Sequence, residues 1–126
     1  AVIGVYIDRI RDMRTLKYSS KANPHTVIGH YQNGLPVFFD NVCAYSGDQF
    51  SEEKINCLSM DHIIPITKGG TNYIWNIVPT TFSHNSSKGT KDMLSWYQEQ
   101  EFYSEERLNR IYEWIEYAYN KWFENK

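Results

Sequence analysis

Residues 61–88, DHIIPITKGGTNYIWNIVPTTFSHNSSK, carry the strongest indication of the fold. Together with the residues just before it, this stretch predicts a strand, a glycine-rich loop, a second strand and a helix, at residues 55–64, 67–72, 74–78 and 81–88. Pro65 and Pro79 are expected to stop the two strands, and Gly89 is expected to end the helix. Two strands followed by a helix predict a small α+β unit.

Polar residues stand at the joints of these predicted elements. Asp61 and His62 lie near the end of the first strand, and Asn76 lies 14 residues after His62, in the second strand. Asn85 follows His62 by 23 residues, and Lys88 is three residues further along the same helix face. These five residues are therefore candidates for one site.

The residue types at these joints suit the hydrolysis of a phosphodiester bond. That reaction needs an activated water, a cation that offsets charge on the phosphorus-bound oxygens, and a stabilised leaving oxygen. Histidine can accept a proton near neutral pH, and Asp61 and Asn85 offer the oxygen ligands that Mg²⁺ and Mn²⁺ prefer. Because neighbouring side chains in a strand point to opposite sides, Asp61 and His62 can serve one phosphate only if the strand ends or bends there.

Four pieces of the stretch, DHIIP, KGGTN, NIVP and HNSSK, resemble the HNH nuclease family in their order and spacing. The resemblance covers residues 43–89 and implies a ββα-metal core. It also implies that His62 is the general base of DNA hydrolysis, while Asp61 and Asn85 hold one divalent metal ion, Mg²⁺ or Mn²⁺. Asn76 would tie the loop and help to orient the catalytic histidine.

Two lysines and a second histidine complete the candidate set. By resemblance, Lys88 contacts phosphate near the metal, and Lys68 contacts the DNA backbone from the loop. His84 competes with Asn85 as the metal ligand, although the spacing favours Asn85.

Each of these candidates also has a structural interpretation. His62 can be an ordinary hydrogen-bonded histidine, Asn76 a turn residue, and Asn85 a solvated helix residue. Lys88 near a helix C-terminus is favourable for its charge alone. His25 and His30 are expected on the surface.

The cysteines predict no structural zinc. Many HNH proteins hold a zinc ion with two pairs of cysteines, and the corresponding positions here are Cys43, Ser46, Thr81 and His84. Serine and threonine are poor zinc ligands, so aromatic packing is expected instead, by Tyr45, Phe50, Trp75 and Phe82. Cys57 is expected to be a small core residue of the first strand.

The flanks are predicted to extend the core into a single domain over residues 1–126, with an N-terminal flank at 1–42 and C-terminal helices at 90–126. Residues 1–20 predict a helix, and residues 27–39, which contain Asn33-Gly34, predict a hairpin whose second strand Pro36 confines to an edge. A helix is also predicted over 91–98.

The last helix has the clearest periodicity. Ser104 is the expected N-cap, and apolar residues then recur at helical spacing, at Leu108, Ile111, Tyr112, Ile115, Tyr119 and Trp122. Trp114 and Tyr117 fall off that face. The face predicts a thick core, and the alternative is a docking face for a larger protein.

Composition limits the class of protein and its partners. The net charge is −2, and residues 99–126 carry seven acidic against four basic residues, so this is not a strongly basic DNA-binding surface. No apolar run is long enough for a membrane span, and neither a signal peptide nor a disulfide framework is expected. These features predict a cytoplasmic protein, and the first residue, Ala1, suggests either an excised domain or a processed product.

The sequence thus predicts a metal-dependent DNA endonuclease, the cutting module of a larger DNA-targeting system. CAYSG at residues 43–47, followed by DHIIP, is also similar to the HNH insert of RNA-guided CRISPR nucleases. The alternative is a non-catalytic DNA-binding or protein-docking module that retains the motif.

Overall fold

The computed structural model describes residues 35–121, and the fold in that range is α+β, as predicted. Its helices and strands, in chain order, are α1 (Leu35–Phe38), β1 (Leu58–His62), β2 (Ile77–Thr81), α2 (Phe82–Lys88), α3 (Met93–Gln98) and α4 (Glu105–Tyr119). Single turns of 3₁₀ helix lie between them, at Lys54–Asn56, Ile66–Lys68 and Ile74–Asn76. The predicted helix over residues 1–20, His25, His30 and Trp122 lie outside the described residues.

The two strands pair antiparallel, with Leu58 opposite Thr81 and His62 opposite Ile77. Strand β1 is shorter than the predicted 55–64, because the preceding residues form a turn in which the amide of Asn56 donates to the carbonyl of Glu53 at 3.0 Å. The strand ends at His62. A shared site for Asp61 and His62 requires that the strand end there, because neighbouring side chains within a strand point to opposite sides.

Strand β2 passes through Pro79, so the prediction that Pro79 stops the strand was wrong. The amide of Ile63 donates to the carbonyl of Asn76 at 2.8 Å, and bonded pairs recur at every second residue from there. Met60 and Pro79 therefore form a non-bonded pair, and the proline nitrogen faces the free edge of β2. On that edge the Pro79 carbonyl accepts the amide of Ala44 at 2.8 Å.

The helices begin and end close to the predicted positions. The Thr81 hydroxyl caps α2 by accepting the amide of His84, and Gly89 follows the helix with a φ of 52°. The Ser104 hydroxyl accepts the amide of Arg107, so Ser104 is the N-cap of α4 as predicted.

Helix α4 packs against the turn Ile74–Asn76 and supplies much of the core. The members of its apolar face that the structure describes are buried, as the thick-core interpretation predicts: Leu108, Ile111, Tyr112, Ile115 and Tyr119. Trp114 was placed off this face by its helical position, yet its side chain is fully buried. The turn covers that side too, and the Trp114 indole donates to the carbonyls of Ile74 and Ile77 at 3.2 and 3.0 Å.

Two further predictions were wrong. Residues 35–38 form the helical turn α1 rather than the second strand of a hairpin, since Pro36 lies in the first helical turn, where its missing N–H costs nothing. The rest of the predicted hairpin, residues 27–34, lies outside the described range. Cys57 follows a 3₁₀ turn and is only partly buried, with its thiol donating to the Lys54 carbonyl at 3.1 Å.

No helix among residues 35–121 is long and apolar enough to cross a membrane.

Candidate functional site

The end of β1 and the helix α2 meet at an open cavity of about 240 Å³. Asp61, His62 and Asn85 all line this cavity, and Thr67 and Thr90 lie on its walls. Asp61 is almost buried, whereas His62, the last residue of the strand, is only half-buried. Because β1 ends here, the buried Asp61 and the partly exposed His62 both line one cavity.

The Asp61 carboxylate is held on both oxygens. Its Oδ2 accepts the hydroxyl of Tyr45 at 2.5 Å, and its Oδ1 accepts the ammonium group of Lys88 at 3.2 Å. Burial raises the pKa of Asp61 above the usual carboxyl value, while the Lys88 charge and the Tyr45 hydrogen bond oppose that rise. Burial and the neighbouring Asp61 charge raise the pKa of Tyr45, so its hydroxyl stays protonated and donates.

Lys88 lies inside the fold and does not line the cavity. Its side chain has no exposed surface, and its ammonium group also donates to the backbone carbonyl of His62 at 2.8 Å. A buried ammonium group requires such partners, because an unpaired buried charge is costly. Lys88 thus joins the carboxylate of Asp61 to the backbone of the next residue, rather than pointing at the solvent where a phosphate would lie.

The imidazole of His62 is oriented by the loop that follows it. Its Nε2 lies 2.7 Å from the amide oxygen Oδ1 of Asn72. An amide oxygen only accepts, so Nε2 carries the proton and Nδ1 is the nitrogen left to accept one. Asn72 belongs to the KGGTN piece of the sequence, but its partnership with His62 was not predicted.

The loop itself is closed by Asn76, which is fully buried. Its Oδ1 accepts the amide of Ile64 at 2.8 Å, and its Nδ2 donates to the carbonyls of Ile64 and Thr71 at 3.0 and 2.8 Å. Gly70 packs against the same backbone: a Cβ there would lie only 1.8 Å from the Ile64 carbonyl oxygen. Asn76 therefore holds the backbone of the loop beside the site, and its own side chain does not line the cavity.

Asn85 presents its amide oxygen as a possible ligand. Its Nδ2 donates to the Ser59 hydroxyl at 2.7 Å, with a longer contact of 3.4 Å to the Met60 carbonyl. These bonds hold the amide nitrogen against β1, and within residues 35–121 no donor is paired with its Oδ1. An oriented amide oxygen beside a carboxylate fits the hard-oxygen donor set of Mg²⁺ or Mn²⁺.

His84 lies on another side of α2 and does not line the cavity. Its Nε2 is 3.3 Å from Asp48 Oδ2, and its ring packs on Phe102 with centroids 4.3 Å apart. Of the two residues that competed for the metal in the sequence, the structure brings only Asn85 to Asp61 and His62.

The four positions that correspond to a zinc clamp serve other contacts here. The Cys43 thiol lies 3.4 Å from the Thr80 hydroxyl, and the Ser46 hydroxyl accepts the amide of Asp48 at 3.2 Å. Thr81 caps α2, and His84 contacts Asp48.

Three of the four aromatic residues that were expected to replace this clamp pack in the core or against it. Tyr45 and Trp75 are buried, and Phe50 is partly buried against the core. Phe82 is 39% exposed, so its assignment to this packing was wrong; it lies at the first position of α2, beside the Lys54 ammonium group.

Residues 43–92 match a family model described as HNH endonuclease. No curated protein matches the chain. The matched range contains every residue that lines the cavity, together with Tyr45 and Lys88, whereas Tyr97 and Arg107, which contact Tyr45, lie beyond it.

Proposed function

Because residues 43–92 match a family model described as HNH endonuclease, we propose that the cavity is the active site of a metal-dependent DNA endonuclease. The observation that carries the proposal is the convergence of Asp61, His62 and Asn85 on one cavity, with the Nδ1 of His62 left to accept a proton. Those three residues offer a base, a carboxylate and an amide oxygen, which is what hydrolysis of a phosphodiester bond requires.

We propose that Asp61 and Asn85 hold one divalent metal ion, Mg²⁺ or Mn²⁺. When bound, such an ion supplies positive charge that offsets the charge developing on the phosphate oxygens. The donor set suits it: one buried carboxylate with two fixed oxygens, and one amide oxygen whose nitrogen side is anchored to Ser59. Both ligands are thus held in place before an ion arrives.

His62 removes a proton from the attacking water through Nδ1, while Asn72 holds the opposite nitrogen and with it the ring plane. Asn76 acts one step away, by fixing the backbone of Ile64 and Thr71 on either side of the loop.

Lys88 is the residue whose proposed task differs most from the one implied by resemblance. Its buried ammonium group bridges the Asp61 carboxylate and the His62 carbonyl, so it fixes the ligand relative to the base. We therefore assign Lys88 to positioning rather than to direct contact with phosphate.

We propose DNA as the substrate, because the family match is to an endonuclease. We also propose that a larger DNA-targeting system brings the domain to its target site. The net charge of −2 and the acidic C-terminal segment give the chain little phosphate-binding charge of its own. A CRISPR-type setting is one form of such a system, and it rests only on the short CAYSG and DHIIP pieces.

A plasmid-nicking assay with Mg²⁺ and with excess EDTA tests the proposed activity. Wild-type protein should nick supercoiled DNA only with the metal, and His62→Ala should lose roughly two to four orders of magnitude in rate. His84→Ala is the matched control, since that histidine lies outside the cavity, and it should cut at nearly the wild-type rate. Full activity in His62→Ala would remove His62 from the mechanism, and no nicking by wild type would favour the non-catalytic module.

A further inference from the structure

A buried chain of hydrogen bonds connects Asp61 to the C-terminal helices. Tyr45 has no exposed surface, and its hydroxyl donates to Asp61 while its backbone carbonyl faces the other way. That carbonyl accepts the hydroxyl of Tyr97 at 2.6 Å and the Nε of Arg107 at 3.0 Å. The backbone carbonyl of Tyr45 is therefore held by residues of α3 and α4, while its side chain contacts the proposed metal ligand.

The ring of Tyr45 has little room to move. It packs edge-on against Trp96 and Tyr97, with ring centroids 5.1 and 5.3 Å away. Arg107 is held in turn, because its Nη2 donates to the Phe102 carbonyl at 3.1 Å. Tight packing and paired polar groups keep the hydroxyl of Tyr45 at a fixed place beside Asp61.

Gly47 is the point where the CAYSG turn makes room for Arg107. Its φ is +78°, and a Cβ there would lie 3.1 Å from Arg107 Nη1. The turn that carries Tyr45 is thus shaped to accept the guanidinium group from α4. Since Tyr97 and Arg107 both lie outside the matched residues 43–92, this contact adds an element to the site that the family match does not contain.

We infer that Tyr45 is a positioning residue for the Asp61 metal ligand, and that Tyr97 and Arg107 make the C-terminal helices part of the active-site support. The inference rests on the proposed function, since Asp61 is a ligand only if the site binds a metal. Hydrogen-bond partners of a metal ligand commonly contribute ten- to a hundredfold to metal affinity or activity. Loss of the Tyr45 hydroxyl, which donates to the carboxylate directly, should have the larger effect on metal affinity. Loss of the Tyr97 hydroxyl, which donates to the Tyr45 carbonyl, should have the smaller effect.

The test is to remove single hydroxyl groups and measure metal binding without DNA. Tyr45→Phe should weaken Mn²⁺ binding, measured by electron paramagnetic resonance, by about tenfold. Tyr97→Phe should weaken it by a few-fold, and Tyr103→Phe, whose ring packs on Tyr97 but whose hydroxyl is not part of the chain, should not weaken it. Thermal unfolding of each variant shows whether the fold is intact, and if Tyr45→Phe does not fold, Tyr97→Phe carries the test.

Chemical shifts in the metal-free protein separate this inference from the proposed function. Tyr45→Phe should displace the carboxyl signal of Asp61 and the amide signals near His62, whereas Tyr103→Phe should leave them in place. If wild type binds Mn²⁺ and a folded Tyr45→Phe binds it equally well, the inference is overturned while the proposed function stands. If wild type neither binds Mn²⁺ nor nicks DNA, the proposed function fails, and a role for Tyr45 in a metal site fails with it even where the Asp61 signal moves.

Discussion

The loop between β1 and β2 and the helices after Gly89 support the same cavity by different means. The loop uses backbone and amide groups: Asn76 pairs with the backbone at Ile64 and Thr71, and Asn72 holds the imidazole of His62. Every one of these contacts lies within 12 residues along the chain. The imidazole of His62 is therefore positioned locally, by polar groups of fixed geometry.

The helices act through aromatic packing over long sequence distances. Trp96 and Tyr97 pack against the ring of Tyr45, and Phe102 packs against both of them. The Tyr97 hydroxyl donates to the carbonyl of Tyr45, 52 residues away along the chain. The carboxylate of Asp61 depends on this distant cluster, although it is next to His62 in the sequence. Adjacent residues of one motif can thus take their geometry from separate parts of the fold.

Breaking the loop should have the largest effect. In Gly70→Ala the new Cβ would overlap the Ile64 carbonyl oxygen, a backbone atom that cannot rotate away. We expect a loss of about 3 kcal/mol in the free energy of unfolding. A displaced His62 should also lower the cleavage rate by about a hundredfold. Chemical denaturation and the nicking assay measure the two effects.

Gly89→Ala is the control for that substitution. Gly89, unlike Gly70, has a positive φ, and a Cβ there meets nothing nearer than the Ser86 carbonyl oxygen at 3.8 Å. It should cost only about 1 kcal/mol, which is the cost of the backbone conformation. Equal losses in the two variants would mean that the close approach of Gly70 to the Ile64 carbonyl oxygen contributes little to stability.

Breaking the core of the helical region should lower stability and spare the chemistry. Trp114→Phe removes the indole N–H that donates to the Ile74 and Ile77 carbonyls and leaves a void, so we expect the free energy of unfolding to fall by about 2 kcal/mol. Cleavage well below the melting temperature should change less than about twofold, because the indole donates to neither Tyr45 nor Asp61. The half-saturating Mg²⁺ concentration should not change.

The exposed neighbour Glu113 provides the control for Trp114. Its ion pair with Arg110 is on the surface, so Glu113→Gln should alter stability by less than about 0.5 kcal/mol. A Trp114→Phe variant that lost activity or Mg²⁺ affinity while folded would show that the whole helical region, and not only the Tyr45 contact, reaches the site.

The same difference explains what the sequence could predict. The resemblance of the motif spacing to the HNH family singled out Asp61, His62 and Asn85, and the structure brings all three to one cavity. Ser104 was predicted correctly because an N-cap is a local interaction. Pro79 misled the prediction because a strand edge tolerates proline wherever the nitrogen faces away from the partner.

The contributions of Tyr45 and Trp114 could not be predicted for a related reason. Aromatic residues occur throughout this chain, and which of them reaches a carboxylate or a turn is set by tertiary packing. The helical position of Trp114 placed it off the apolar face, yet the turn Ile74–Asn76 buries it. The functional hydroxyl of Tyr45 had only one sequence signal, its place in CAYSG.

The smallest expected effect concerns the surfaces of the two regions. Lys68 is exposed on the loop, directly after Ile66 and Thr67, which line the cavity. Lys121 is exposed beyond the end of α4, in the acidic C-terminal segment. A phosphate that enters the cavity therefore passes closer to the loop, and the loop lysine should contribute more to DNA binding than the helical one.

Replacing each lysine with glutamine tests this difference. The isolated chain should bind random duplex DNA at or beyond the weak end of the usual non-specific range, about 10⁻⁴ M at physiological salt, with a shallow salt dependence. Lys68→Gln should weaken that binding by a few-fold and reduce the slope of log affinity against log salt by about one, because one phosphate contact is lost. Lys121→Gln should leave both unchanged. Equal effects would mean that the DNA backbone does not follow the loop. Tight, salt-resistant binding to one sequence would instead show that the chain carries its own specificity, and the proposal that it depends on a DNA-targeting partner would have to be abandoned.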